Sequence, residues 1–111
     1  MKFGNIAAEI PTSLPNELVE VLAEGKGKLR IERIVSRGHA TPPDSWYEQT
    51  ETEWVMLVSG VAVLKFEADD RIVEMTAGDW IEIPPGKRHR IESTAAGVDS
   101  IWLAVFWEPL R

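Results

Sequence analysis

Residues 78–89 constrain the fold of this chain more than any other segment, because they predict a turn, a strand, a second turn and the start of another strand. Gly78-Asp79 is a turn signal, since glycine accepts a positive φ and aspartate can bond its own backbone. Pro85-Gly86 suits the two central positions of a type II turn. Side chains alternate along a strand, so His89 lies on the face opposite its two charged neighbours. The imidazole is therefore predicted to point inward.

A second inward polar residue is predicted at Glu53. It precedes an apolar, strongly β-prone run at residues 54–58. Counting by twos places Glu53 on the same face as Val55, where a carboxylate needs a donor, a cation or a proton. Glu53 and His89 are therefore candidates for a shared internal site. From the residues alone, they form either an acid and a base for proton shifts next to a carbonyl group or a structural polar pair.

The other strand patterns predict an antiparallel meander. They are separated by turn signals and cover residues 29–36, 45–49, 61–67, 71–75 and 100–107. Residues 100–107 are apolar on both faces, so one face can line the core and the other needs a cover. We expect a homodimer to supply that cover, with Trp54, Met56 and Val58 on the same outer surface. The alternative cover is a short N-terminal helix.

That helix is predicted at residues 13–25. Ser13 suits its N-cap and Gly25 its left-handed C-cap. Four apolar residues recur at helical spacing, namely Leu14, Leu18, Val21 and Leu22. At 111 residues the chain is one domain. We divide it into an N-terminal arm and short helix at residues 1–27 and a β-barrel at residues 28–111.

The motifs of this chain resemble those of the cupins, small β-barrels with two paired sequence motifs. The first family motif has two His, then Glu and, seven positions later, Gly; the second runs Gly, Pro, Gly, His, Asn. Six residues match at the family's spacing, namely Glu53, Gly60, Gly78, Pro84, Gly86 and His89. The resemblance covers roughly residues 29–107 and looks like that of small single-domain cupins. It implies an all-β fold, a small double-stranded β-helix of the RmlC-like jelly-roll type.

The resemblance also implies that ligands converge on one divalent metal inside the barrel. The two first-motif His are replaced here by Tyr47 and Gln49 or, in a register shifted by one residue, by Trp46 and Glu48, and Ser93 replaces the closing Asn. The candidate ligands are Glu53, His89, Gln49 and Tyr47, and less favoured ones are Glu48 and the loop residue His39. This set is one His short of the 2-His-1-carboxylate triad. It is consistent with a weakly held Zn, Ni, Mn or Fe ion at low occupancy.

Three functions fit these residues. The first is a cupin barrel that binds a divalent metal or a small organic ligand in its central pocket, with Trp46 and Trp80 lining or rimming the pocket. The second is a metal-dependent enzyme, an isomerase, epimerase or oxygenase, with Glu53 and His89 as catalytic candidates. The third is a structural barrel without a metal. Whether the protein is an enzyme is left open by the sequence.

Composition and charge argue against several classes of partner. The net charge of −6 argues against nucleic acid, whose binding depends on Lys and Arg neutralising phosphates. No apolar run approaches the length of a membrane span, and the N-terminus lacks the sustained apolar core of a signal peptide. The chain has no cysteine, so thiolate ligands and disulfides do not arise. We therefore expect a cytoplasmic protein whose partners are a small molecule and a second copy of itself.

Overall fold

The computed structural model describes residues 1–109 of the chain, and nearly all of its regular structure is β. Within these residues, eight strands follow one another. They are β1 (Leu18–Glu24), β2 (Arg30–Ser36), β3 (Thr52–Ser59), β4 (Val61–Phe66), β5 (Arg71–Thr76), β6 (Trp80–Ile83), β7 (His89–Thr94) and β8 (Ser100–Trp107). A short 3₁₀ helix, Ala68–Asp70, joins β4 to β5.

The strands form two antiparallel sheets. The larger has the order β1-β2-β8-β3-β6, and the smaller has the order β5-β4-β7. Residues from both sheets build one apolar core, namely Val55, Leu57, Ala62, Leu64, Phe66, Met75, Ile83, Trp102, Ala104 and Phe106. This arrangement confirms the all-β jelly-roll barrel.

Strand β8 lies in the middle of the larger sheet, between β2 and β3. Its even-numbered residues Trp102, Ala104 and Phe106 are buried inside the barrel, whereas Leu103 and Val105 on the other face are partly exposed. The strand is therefore apolar on both faces, and only the inner face belongs to the core.

The prediction of a short helix at residues 13–25 is wrong. Residues 18–24 form the edge strand β1, which pairs with β2 and has a register irregularity between Val21 and Ala23. The local spacing of apolar residues favoured a helix, but pairing with β2 satisfies the backbone and places Val19 over the barrel interior. Glu20 lies opposite Arg33, which donates a hydrogen bond of 2.6 Å to it. Tertiary contacts override weak local propensity here.

Two turns have the geometry that their glycines predict. Lys87 N–H donates to the Pro84 carbonyl across Pro85-Gly86, and Gly86 has a φ of 75°. Gly60, between β3 and β4, has a φ of 94°. A Cβ at Gly60 would also lie 2.6 Å from the Cα atom of Ser100, so only glycine fits against β8.

The strand predicted at residues 45–49 is reduced to a single bridge, at Tyr47 opposite His89. The remaining residues of the segment pass along the barrel opening as a loop. Within residues 1–109, no helix is long and apolar enough to cross a membrane. The cytoplasmic location stays a prediction.

Candidate functional site

The two sheets bring Glu53 and His89 together inside the barrel. Glu53 lies on β3, where it pairs with Ile83 of β6 and Phe106 of β8. His89 begins β7 in the other sheet and pairs with Phe66 of β4. Oε1 of Glu53 is 3.5 Å from Nε2 of His89, and the two residues are 8% and 5% exposed. The inward orientation expected from strand alternation is therefore seen at both positions.

The backbone orients the imidazole. Nδ1 of His89 donates to the Lys87 carbonyl at 2.8 Å, so Nε2 is the nitrogen that faces Glu53. Burial of the ring acts to lower the pKa of His89, but the bonds to Glu53 and Lys87 and the charge of Glu53 outweigh it, and the pKa is raised. The contact with Glu53 is long for a hydrogen bond. An atom of a bound molecule can therefore approach both groups.

The loop before β3 adds two polar side chains. Tyr47 exchanges two backbone hydrogen bonds with His89, at 2.7 and 3.0 Å, and the Gln49 carbonyl accepts from Gly86 N–H at 2.7 Å. The Gln49 amide then donates to Oε1 of Glu53 at 2.9 Å. The Tyr47 ring lies 5.9 Å from the His89 ring. Of the two registers that the sequence left open, the one with Tyr47 and Gln49 pointing to Glu53 is seen.

These residues border a cavity of about 280 Å³. Its polar lining residues are Glu17, Arg30, Glu32, Tyr47, Gln49, Glu53 and His89. Its apolar lining residues are Val19, Ile34, Val55, Leu64, Ile83, Ile91, Trp102 and Phe106. Ligand cavities in proteins typically measure about 300–1,000 Å³. The volume therefore suits a small molecule.

Three charged lining residues were missed by the sequence argument, namely Glu17, Arg30 and Glu32. Arg30 pairs with Phe106 of β8, which also pairs with Glu53 on the far side, so the three residues form one row across the inner face. Strands in a sheet are about 4.8 Å apart, which puts the backbones of Arg30 and Glu53 roughly 10 Å apart. Counting by twos from the inward residue Ile34 would have found Glu32 and Arg30.

Two tryptophans expected at the pocket do not line it. Trp80 is 61% exposed on the outer face of the larger sheet, where it stacks on Trp54 with ring centroids 5.8 Å apart. Trp46 lies under the guanidinium group of Arg90, 5.6 Å from the ring centroid. Since Ile81 and Ile83 point inward, Trp80 must point outward by alternation.

Two of the proposed metal ligands also lie elsewhere. Glu48 is exposed and does not line the cavity. The His39 ring is held within its own part of the chain, since Nδ1 accepts from Arg37 N–H at 2.8 Å and Nε2 contacts the Pro15 carbonyl at 3.2 Å. The structure does not bring either residue to Glu53 and His89.

The side chains at the site do not fit a divalent metal with three strong protein ligands. Glu53 and His89 supply one carboxylate and one imidazole, but within residues 1–109 no group of three His, Cys, Asp or Glu side chains could hold an ion. Gln49 and Tyr47 are weak oxygen donors, and the amide nitrogen of Gln49 already bonds Glu53. The donor set falls short of the sets that hold zinc or non-haem iron.

Comparison with known proteins places this geometry in a family. The sequence matches the family model of the cupin domain over residues 31–106. Curated proteins gave no match. Among solved structures, a proposed mannose-6-phosphate isomerase from Ralstonia eutropha JMP134 is 43% identical and superimposes with a TM-score of 0.93, covering 98% of this chain and 100% of that chain.

Two more distant structures show the same fold. A cupin superfamily protein from Desulfitobacterium hafniense DCB-2 is 19% identical, with a TM-score of 0.73 over 90% of this chain and 84% of that chain. An RmlC-like cupin from Desulfovibrio desulfuricans is 14% identical, with a TM-score of 0.77 over 99% of each chain. At these identities the likeness concerns the fold alone.

Proposed function

The chain belongs to the cupin family, and on that premise we propose that its central cavity binds a small hydroxy-carbonyl compound and isomerises it by proton transfer. The observation that carries the proposal is the buried pair of Glu53 and His89 at the cavity wall. A carboxylate and an imidazole side by side on one wall of a cavity are a workable base and acid for two neighbouring atoms of a substrate.

Each member of the pair has a supporting contact. Gln49 donates to the Glu53 carboxylate and fixes its direction, and the Lys87 carbonyl fixes the tautomer of His89. The raised pKa of His89 increases the fraction of imidazolium near neutral pH. The imidazolium form has a proton to give on Nε2, which is the nitrogen next to Glu53.

The proposed reaction uses this proton. Glu53 takes the proton from the carbon next to the carbonyl group while His89 gives its Nε2 proton to the carbonyl oxygen, so that an enediol forms. In the second half, Glu53 gives its proton to the former carbonyl carbon. His89 takes a proton from the hydroxyl group on the carbon that was deprotonated first, and this carbon becomes the new carbonyl. Protons and electrons balance over the cycle, and no co-reactant is needed.

The Ralstonia relative supports this class of reaction. That protein is a proposed mannose-6-phosphate isomerase, and the two chains are 43% identical over nearly their full lengths. We carry over the class of reaction, the isomerisation of a hydroxy-carbonyl compound, as a proposal. Whether the substrate of this chain carries a phosphate group depends on the charges that line its cavity.

Exchange with solvent deuterium tests the proposal without knowledge of the product. The protein is incubated in D₂O with a panel of aldoses, ketoses and their phosphates, and NMR follows deuterium entering at the carbon next to the carbonyl group. We expect incorporation with the wild type and at least a 100-fold lower rate with Glu53→Gln. Glu82→Gln, an exposed residue on the outer face of β6, should leave the rate unchanged. Absence of incorporation across the panel would refute the reaction.

Metal binding is a second candidate, and one observation favours it. A metal-binding His usually donates its other ring N–H to a carbonyl or carboxylate, as His89 does to Lys87. Because a complete ligand set is lacking, any bound ion would be weakly held by Glu53 and His89. Elemental analysis of untagged protein tests this, since a bound metal should be lost in Glu53→Ala. A structural barrel would show neither metal nor deuterium exchange.

We also propose a homodimer that covers the outer face of the larger sheet. Trp80 and Trp54 stack there, and Met56, Leu103 and Val105 are partly exposed beside them. Such an apolar surface favours association. Light scattering should give twice the chain mass, and Trp80→Ser should raise the dimer dissociation constant at least tenfold. Val61→Ser, at an apolar position of the smaller sheet that is 51% exposed against 61% for Trp80, is the control. A wild-type mass of one chain would exclude the dimer.

A further inference from the structure

The cavity is lined by charged residues other than the proposed base and acid, Glu53 and His89. Glu17 and Glu32 line it together with Glu53, so carboxylates come from the residue before β1, from β2 and from β3. Among the described lining residues, Arg30 brings a permanent positive charge, and His89 is positive only when protonated. Negative charge therefore exceeds positive charge around the cavity.

The positive charge of Arg30 is already engaged. Its Nε donates to Glu32 at 2.8 Å, and one terminal nitrogen pairs with Glu51. The guanidinium group also lies over the ring of Phe106, 4.1 Å from the centroid. Burial acts to lower the pKa of Arg30, but its bonds to the two carboxylates raise it, so the three groups form a charged cluster. An anionic ligand would have to break this cluster to use Arg30.

The hydroxyl group of Tyr47 lies close to two of these negative charges. Burial and then the negative charges of Glu17 and Glu53 raise the pKa of its hydroxyl group, against a smaller opposite effect of Thr41. Tyr47 is 47% exposed, which places it at the opening of the cavity. A negatively charged molecule would meet these charges on entry.

We propose that the cavity takes an uncharged hydroxy-carbonyl compound, a free sugar rather than its phosphate ester. The inference rests on the isomerase function proposed above and narrows its substrate class. A phosphate monoester carries about −1.5 to −2 charges at pH 7. Beside Glu17, Glu32 and Glu53, in a space partly closed to water, that charge is repelled and loses its hydration. Sugar hydroxyl groups donate to carboxylates and meet no such cost.

Matched pairs of ligands test the proposal. D-mannose, D-glucose and D-fructose are each compared with their 6-phosphates at constant ionic strength, and binding is followed by the NMR signal of the Trp102 indole N–H, which lies at the cavity wall and bonds Ser36. We expect at least one free sugar to bind at least tenfold more tightly than its phosphate. In Glu32→Gln, which removes a carboxylate and releases Nε of Arg30, this ratio should fall at least threefold.

Glu74→Gln is the control, because it changes the net charge equally at an exposed residue of β5 and should leave the ratio unchanged. Tighter binding of the phosphate in every pair that binds would overturn this inference and leave the isomerase function intact. The same ratio in Glu32→Gln as in the wild type would also overturn it. If none of the six compounds binds, the inference fails, and the deuterium-exchange experiment with its wider panel decides the isomerase function separately.

Discussion

Nε2 of His89 lies 3.5 Å from Oε1 of Glu53, and the two residues belong to different sheets of the barrel. The contact joins β3 of the larger sheet to β7 of the smaller one, so the candidate site is also a connection between the two halves of the fold. A change of charge at this pair therefore affects stability as well as any chemistry. The two effects can be separated by pH and by the choice of variant.

The first prediction concerns pH. Because the folded state raises the pKa of His89, protonated His89 is favoured in the fold, and its contribution to stability is fully present below the unfolded pKa of about 6.5. That contribution is lost as the pH rises through the higher pKa of the folded state. We expect the stability advantage of the wild type over His89→Gln to shrink across this window.

Urea unfolding at intervals between pH 5.5 and 9 measures this advantage. NMR titration of the His89 imidazole gives its pKa directly, and Glu53→Gln should shift that pKa downward because the opposing charge is removed. An advantage that is constant with pH, or an imidazole that titrates at the same pH in Glu53→Gln, would contradict the prediction.

The second prediction compares two glycines of almost equal φ. Gly60 has a φ of 94° and Gly78 a φ of 93°, but only Gly60 faces another strand, at Ser100. Gly78→Ala should cost about 1–2 kcal/mol of unfolding free energy for its backbone conformation alone. Gly60→Ala should cost a further 1–3 kcal/mol, since its Cβ would overlap the backbone of β8. Chemical denaturation measures both, and equal losses would show that the close approach to Ser100 has no effect.

The third prediction concerns a buried hydrogen-bond chain behind the cavity. Ser36 is fully buried, accepts from the Trp102 indole N–H at 3.2 Å and donates to Glu17. Ser36→Ala leaves the indole N–H without this partner, which should lower the unfolding free energy by about 1–3 kcal/mol. Ser93→Ala, at an exposed position of β7, should change it by less than about 0.5 kcal/mol. Equal values for the two variants in urea titrations would argue against the hydrogen-bond chain.

Much of the site could be predicted because it depends on local rules. Alternation from Val55 gave the direction of Glu53, and the turn at Pro85-Gly86 gave the start of β7 and the inward direction of His89. Their proximity, however, depends on two sheets packing face to face. Spacing along the chain does not give that distance, and it was the resemblance of the motifs that implied it.

The wrong helix prediction and the missed charged residues also have physical causes, namely contacts between parts of the chain that are distant in sequence. Residues 18–24 have apolar spacing that suits a helix, but their backbone pairs with β2, a contact that no local pattern contains. Arg30 and Glu32 were overlooked because charged residues on a strand usually face water. Here Arg30 pairs with both Glu32 and Glu51 beside Phe106. Buried charge is tolerated when it is paired, and one partner of Arg30, Glu51, lies 21 residues away in the chain.

The fourth prediction uses two exposed valines of β1 to test whether the cavity opening admits the substrate. Val19 is 54% exposed and lines the cavity, whereas Val21 is 51% exposed and does not line it. Val19→Trp should narrow the opening and lower the rate of solvent-deuterium incorporation at least tenfold, with little change in the urea midpoint because the position is open to solvent. Val21→Trp adds the same bulk on the same strand and should leave both quantities unchanged. Equal rates in the two variants would mean that the substrate does not enter past Val19.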